Sequence, residues 1–139
     1  MPLIDLASIP NLPLSAVNAD HADEARLLNE AADAVDRYQA GTAGREAVIA
    51  ALDALYAHTR EHFGREEALM QSSSFPEASL HAAEHVRVLV ELDAAERAFK
   101  DTGDATPLVK YLRDTAGWFE EHLLSMDLAT ARFAKEWGA

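Results

Sequence analysis

Seven side chains in this chain could act together on a metal ion: His21, His62, Glu66, His81, His85, His122 and Asp127. Imidazole and carboxylate are ligands for iron, zinc, manganese and copper, so their type alone does not choose the metal. Their spacing carries more information. Glu66 follows His62 by four residues and His85 follows His81 by four. On a helix, residues four apart stack on one side, about 6 Å apart along the axis. A lone histidine on an apolar face reads as a core residue with one hydrogen bond. Five converging with a carboxylate read differently, because every buried polar group costs free energy without a partner, and a shared metal satisfies them together. A single zinc site uses about four ligands, so seven candidates point to two ions. The helical HExxH zinc pattern is missing, since the chain reads His62-Phe63-Gly64-Arg65-Glu66. Glu-x-x-His pairs, the mark of carboxylate-rich two-metal bundles, are missing as well, and the expected site is histidine-rich. Asp127 lies five residues after His122, which is not a same-face spacing in a straight helix. It reaches the site if the helix ends or distorts between them.

The elements that must carry these residues are legible as four periodic segments. Pro10 and Pro13 mark an irregular N-terminal arm. A first helix is predicted from Val17 or Asn18 to Tyr38, with 17, 21, 24, 28, 31 and 35 on one face. Gly41 and Gly44 supply the turn to a second helix, Arg45 to Gln71, whose inward stripe runs through Val48, Leu52, Leu55, Thr59, His62, Glu66 and Met70. The serines at 72–74 break it, and Pro76 suits the first turn of a third helix ending near Phe99. A fourth spans Thr106 to Ser125, followed by a short C-terminal tail in which Phe133 and Trp137 can pack back on the bundle. Each helix brings at least one candidate ligand. The expected fold is all-α: an antiparallel up-down-up-down four-helix bundle, formed by residues 1–139 as one domain.

Composition narrows the partners. The chain has 139 residues, of which 49% are hydrophobic, with 24 acidic and 12 basic side chains and a formal net charge of -12. Such an acidic surface repels nucleic acid and anionic lipid, so neither is an expected partner. No apolar run approaches the 18 or more residues of a membrane span, and the basic start of a signal peptide is missing. Cysteine is absent, which removes disulfides and thiolate ligands and fits a cytoplasmic location.

The pattern as a whole resembles the bacterial hemerythrins. The residues that carry the resemblance are His21 with Asn29 eight positions on, His62-Phe63-x-x-Glu66-Glu67-x-x-Met70, Phe75-Pro76 leading to His81-x-x-x-His85, and Trp118-x-x-x-His122-x-x-x-x-Asp127. The resemblance implies a diiron four-helix bundle holding two non-haem Fe ions with a bridging oxo or hydroxo group, Glu66 and Asp127 also bridging. It implies that His81, His85 and His122 complete one iron, while His21 and His62 hold the other and leave it open for dioxygen. The implied function is reversible dioxygen binding for storage, delivery or sensing. Diiron peroxidase or nitric oxide reductase activity, or iron storage, are the alternatives. Phe63, Val88, Trp118 and Phe119 are candidates for a dry wall around the site.

The chain departs from that pattern near its first histidine. Val17-Asn18-Ala19-Asp20 stands where the family usually has Ile-Asp-x-Gln, and Glu24 stands where it usually has leucine. Glu24 shares a face with His21 and is a candidate pocket modulator. It would turn out to solvent, hydrogen-bond or move protons near the pocket, or ligate the iron. His58, one turn before His62, is expected as a partly exposed helix residue, with a role beside the ligands as the alternative. Glu67 is expected to pair with a surface base or a helix neighbour, and Asn29 and Asp20 to orient ligands. No protein partner is legible. A free-standing monomeric carrier is the expectation.

Overall fold

The computed structural model describes residues 3–136. Trp137, expected to pack against the bundle, lies outside the described residues. Four long helices follow one another: α1 (Ser15–Gln39), α2 (Arg45–Ser73), α3 (Ala78–Thr102) and α4 (Thr106–His122). A π-helical turn, Leu123–Asp127, then leads directly into α5 (Leu128–Glu136). There are no strands among the described residues. Successive long helices pack side by side and α4 returns to α1, so the four close a ring around one core; α5 leans on α2.

The turns are short and explain themselves. Ser74 (φ 56°) ends α2 and Gly103 (φ 69°) ends α3 in the left-handed conformation that terminates a helix, and the N–H of each returns to the last turn. Tyr38 Oη, at the end of α1, donates to the Gly103 carbonyl at 2.6 Å and ties the α3–α4 turn to the far side of the bundle. The third helix begins at Ala78, so Pro76 sits in the turn before it and not in its first turn. The expected face of α1 is buried at Val17, His21, Glu24, Leu28, Ala31 and Val35. Leu52, Leu55, Leu92, Phe99, Leu108 and Leu112 meet it from the other three helices.

The two ends differ from expectation in instructive ways. The segment expected as a tail is helical through Glu136, with Thr130, Ala131 and Ala134 buried and Phe133 against Phe75 at 5.4 Å. The N-terminal arm holds one 3₁₀ turn, Leu6–Ser8, and is strapped to α1 by two asparagines. Asn29 accepts from Ile4 N at 2.9 Å and donates to Ile4 O at 2.8 Å, and Asn18 brackets Leu12 the same way. Ile4 is thereby buried in the core. Asn29 therefore serves the arm and not a ligand.

Candidate metal centre

Each helix delivers its predicted residues to one place: His21 from α1, His62 and Glu66 from α2, His81 and His85 from α3, His122 from the end of α4, and Asp127 from the π turn. All seven are buried, none more than 4% exposed. Asp127 arrives because the turn before it is π-helical, with the Leu128 N–H bonded back to the Leu123 carbonyl five residues earlier. In a regular α-helix, five residues would leave Asp127 about 140° around from His122. The wider turn restores the shared face, a device common at functional sites.

The two carboxylates divide the histidines into two sets. Glu66 Oε1 touches His62 Nε2 and lies 3.7 Å from His21 Nε2, while Oε2 lies 3.3 Å from His81 Nε2 and 3.8 Å from His85 Nε2. Asp127 Oδ2 is 2.8 Å from His21 Nε2, and Oδ1 is 2.9 Å from His81 Nε2 and 3.0 Å from His122 Nε2. Each acid thus turns one oxygen toward the set of His21 and His62 and the other toward the set of His81, His85 and His122. Glu66 reaches two histidines of each set, and Asp127 one of the first and two of the second. The pair with both acids, and the trio with both acids, each offer ligand atoms within 4.8 Å of one another.

These separations suit ligand atoms gathered around shared ions. Donors held at about 2.0–2.2 Å from one ion sit roughly 3 Å apart at right angles, as the shorter contacts here do. Both Glu66 oxygens, Asp127 Oδ1 and the Nε2 atoms of His21, His62 and His85 are buried without a hydrogen-bond partner. The Nε2 atoms of His81 and His122 face each other at 3.1 Å, an approach that needs a proton or a cation between them. Buried groups left so would cost several kcal/mol in all, at about 1–3 kcal/mol each. Cations at these positions satisfy them together.

The far sides of the imidazoles are fixed by other residues. His62 Nδ1 meets Glu24 Oε1 at 3.2 Å, His81 Nδ1 meets Thr130 Oγ1 at 2.8 Å, and His85 Nδ1 meets Glu67 Oε2 at 3.4 Å. A proton on each Nδ1 leaves each Nε2 lone pair for the centre. Phe63 stacks on His85 at 3.7 Å and Trp118 on His122 at 4.5 Å. Trp118 is held by donating to Glu84 Oε1 at 2.6 Å, and Glu84 is held by Arg87.

Electrostatically the cluster attracts positive charge. Burial alone would lower His62, but its contacts with Glu24 and Glu66 push it up to about 10. Burial likewise opposes His81, yet Asp127 and Glu66 raise it to about 9. His21 is also raised, by Asp127 and Glu66 against its burial. Burial would raise Glu66, but the close imidazoles of His21, His62 and His81 hold it well below the usual carboxylate range. His85 behaves oppositely: burial drops it to about 3, so it is a neutral donor at physiological pH.

A cavity opens against the cluster at His62, Asp127 and His122, with about 10 Å³ of free space for the centre of a water-sized guest. That is near the lower limit for one water molecule. All four expected wall residues, Phe63, Val88, Trp118 and Phe119, line it. Leu28, Leu55 and Leu92 add apolar surface, while Glu24, Thr59, Tyr111 and Thr115 add polar groups.

The remaining candidates are now located. Glu24 does not turn out to solvent; it is buried in the cavity wall and bonded to His62 and Thr59. His58 is partly buried, with Nε2 3.2 Å from the Asp20 carbonyl and 3.6 Å from Glu24 Oε1. Glu67 meets His85 instead of a surface base, and the Asp20 side chain pairs with Arg65 at 2.6 and 2.8 Å. Thr130 is the contributor that periodicity did not reveal, because it sits in the segment expected as a tail. Thr59 was visible only as a polar residue on the inward stripe of α2.

Comparison with known proteins agrees with this geometry. The pattern of the Hemerythrin HHE cation binding domain matches residues 12–132. The chain is 33% identical over 127 residues to Bacteriohemerythrin of Ralstonia nicotianae (strain ATCC BAA-1114 / GMI1000), covering 91% of this chain and 85% of that protein. A cation-binding cluster of buried histidines and carboxylates, on a helical bundle that matches at this breadth, means that the chain belongs to the hemerythrin family.

Proposed function

We propose that this chain, as one hemerythrin domain, holds two non-haem irons and binds dioxygen reversibly, as a cytoplasmic store or carrier. The observation that carries the reading is the unequal division of histidines: Glu66 and Asp127 each turn one oxygen toward the set of His21 and His62 and the other toward the set of His81, His85 and His122. His81, His85 and His122 with the two acids would hold one iron, and His21 and His62 with the same acids would hold the other with fewer protein ligands. Two irons so held would supply the redox chemistry that reversible dioxygen binding needs.

The chain's own residues make that exchange reversible. Neutral imidazoles and only two carboxylates leave the centre weakly charged, which suits a buried apolar setting. Glu66 and Asp127 hold the ions at one separation, and the outer partners Glu24, Thr130 and Glu67 keep each imidazole aimed through Nε2. Phe63, Val88, Trp118 and Phe119 line the cavity with apolar surface, and its free space admits only a small guest. One observation favours a second reading, a diiron peroxidase or nitric oxide reductase: Glu24 and Thr59 put polar groups into the cavity wall.

Oxygen cycling separates the two. The iron-loaded protein, reduced and exposed to dioxygen, should develop a charge-transfer band that disappears under vacuum and returns with oxygen over repeated cycles. A band that never forms, or oxidation that does not reverse, would overturn oxygen carriage in favour of the enzyme.

A further inference from the structure

Glu24 occupies a position unlike that of any other acid near the cluster. It is 6% exposed, its Oε1 lies 3.2 Å from His62 Nδ1, and its Oε2 lies 2.6 Å from Thr59 Oγ1. Thr59 Oγ1 also lies 2.7 Å from the Leu55 carbonyl, so its single hydroxyl proton has two acceptors within reach. The imidazole N–H of His62 is then the donor that Glu24 holds without competition. Compare the other outer partners. His81 has a neutral hydroxyl on Nδ1, and His85 has Glu67 at a longer 3.4 Å, with that side chain 41% exposed to water. His21 Nδ1 has no hydrogen-bond partner among the described residues.

We propose that Glu24 is a positioning residue acting through His62: it fixes the imidazole with its proton on Nδ1 and strengthens Nε2 as a donor. The ion on the His21 and His62 side is thereby held more tightly and oxidised more readily than an unsupported histidine would allow. The physical basis is general. A carboxylate behind a ligating imidazole raises its basicity, and the loss of such a partner costs about 10–100-fold in metal affinity or activity. In a buried setting the effect is strong, since water does not screen the pair. The consequence is an asymmetric centre, whose strongest outer support lies on the side facing dioxygen. This inference rests on the diiron reading and specifies how its two ions differ.

Glu24, His58 and His62 also lie close enough together to hold an ion of their own. The orphaned atoms argue against it: neither Glu24 oxygen nor His62 Nδ1 lacks a partner, unlike the inner cluster. A direct test compares the iron-loaded wild-type chain with Glu24→Gln and Glu24→Leu. Glu24→Gln keeps an acceptor oxygen and removes the charge. It should retain two irons and the wild-type spectrum, while the oxidation equilibrium of one iron falls about tenfold, about 59 mV for one electron. Glu24→Leu should give up one of its two ions to a chelator at about 10–100-fold lower chelator concentration and keep the other. Cobalt(II) titration provides a readout independent of dioxygen, with wild type saturating at two equivalents. Unshifted potential and unchanged retention in both variants would overturn the proposal, as would a third cobalt equivalent that both variants lose. Should Glu24→Leu fail to fold, the potential of Glu24→Gln decides alone. A wild-type chain that takes up no iron pair would overturn the diiron reading itself, whereas normal wild-type loading with silent variants overturns this proposal only.

Discussion

In the metal-free protein, protons occupy the places that cations would take. His62 and His81 have folded pKa values raised to about 10 and about 9 from 6.5, because Glu24, Glu66 and Asp127 surround them. The sign follows directly. That stabilisation of the metal-free fold is fully present below about 6.5, and it is lost as the pH rises through 9 and then 10. A metal must displace the same protons, so its affinity should increase with pH across that window. Loading the metal-free protein at pH 7 in weak buffer should release about two protons or more, one each from His62 and His81 and a further contribution from His21, which is also raised. An indicator dye reads this directly, and uptake without proton release would contradict the assignment. His85, already neutral, should contribute none. Most of these residues were legible in the sequence because their spacing repeats every three or four positions. Glu24 was legible as an anomaly, but its partners, Thr59 and His62, lie 35 and 38 residues away, a separation that only the packing of α1 on α2 closes.

Among the elements, the π turn between α4 and α5 is the one that periodicity could not supply. The five-residue gap from His122 to Asp127 was its only trace, and such a gap is equally the mark of a residue facing away. The same blind spot hid Thr130 and the helical nature of Leu128–Glu136, since a phase shift in a helix looks like its end. Pro76 misled in the opposite direction: proline is favoured in the first turn, but here it occupies the preceding turn. The N-terminal arm makes a different contribution from the helices. Its two hydrogen bonds to Asn29 bury Ile4 without touching the metal cluster. Asn29→Ala should therefore cost about 1–3 kcal/mol in a denaturant titration. Metal stoichiometry should stay at the wild-type value, and a loss of metal in that variant would show that the arm supports the centre after all.

For the whole molecule, the bundle and the centre depend on each other. Four helices and the π turn bring five imidazoles and two carboxylates into one buried interior, an arrangement that is costly without cations and favourable with them. Among the described residues no helix is long and apolar enough to cross a membrane. The fold was legible because each helix has one clear inward stripe, and the metal cluster interrupts those stripes only with residues that share their period. The choice of iron was not legible in ligand type, and it enters only with the proposed function. Titration of the metal-free protein with iron(II), without oxygen and followed by the stability of the fold, tests the central claim most directly. A single sharp break at two irons per chain, with a rise in unfolding temperature up to that point and none beyond it, is the predicted result. A break at one iron, or binding with no effect on stability, would contradict a two-iron centre shared by Glu66 and Asp127.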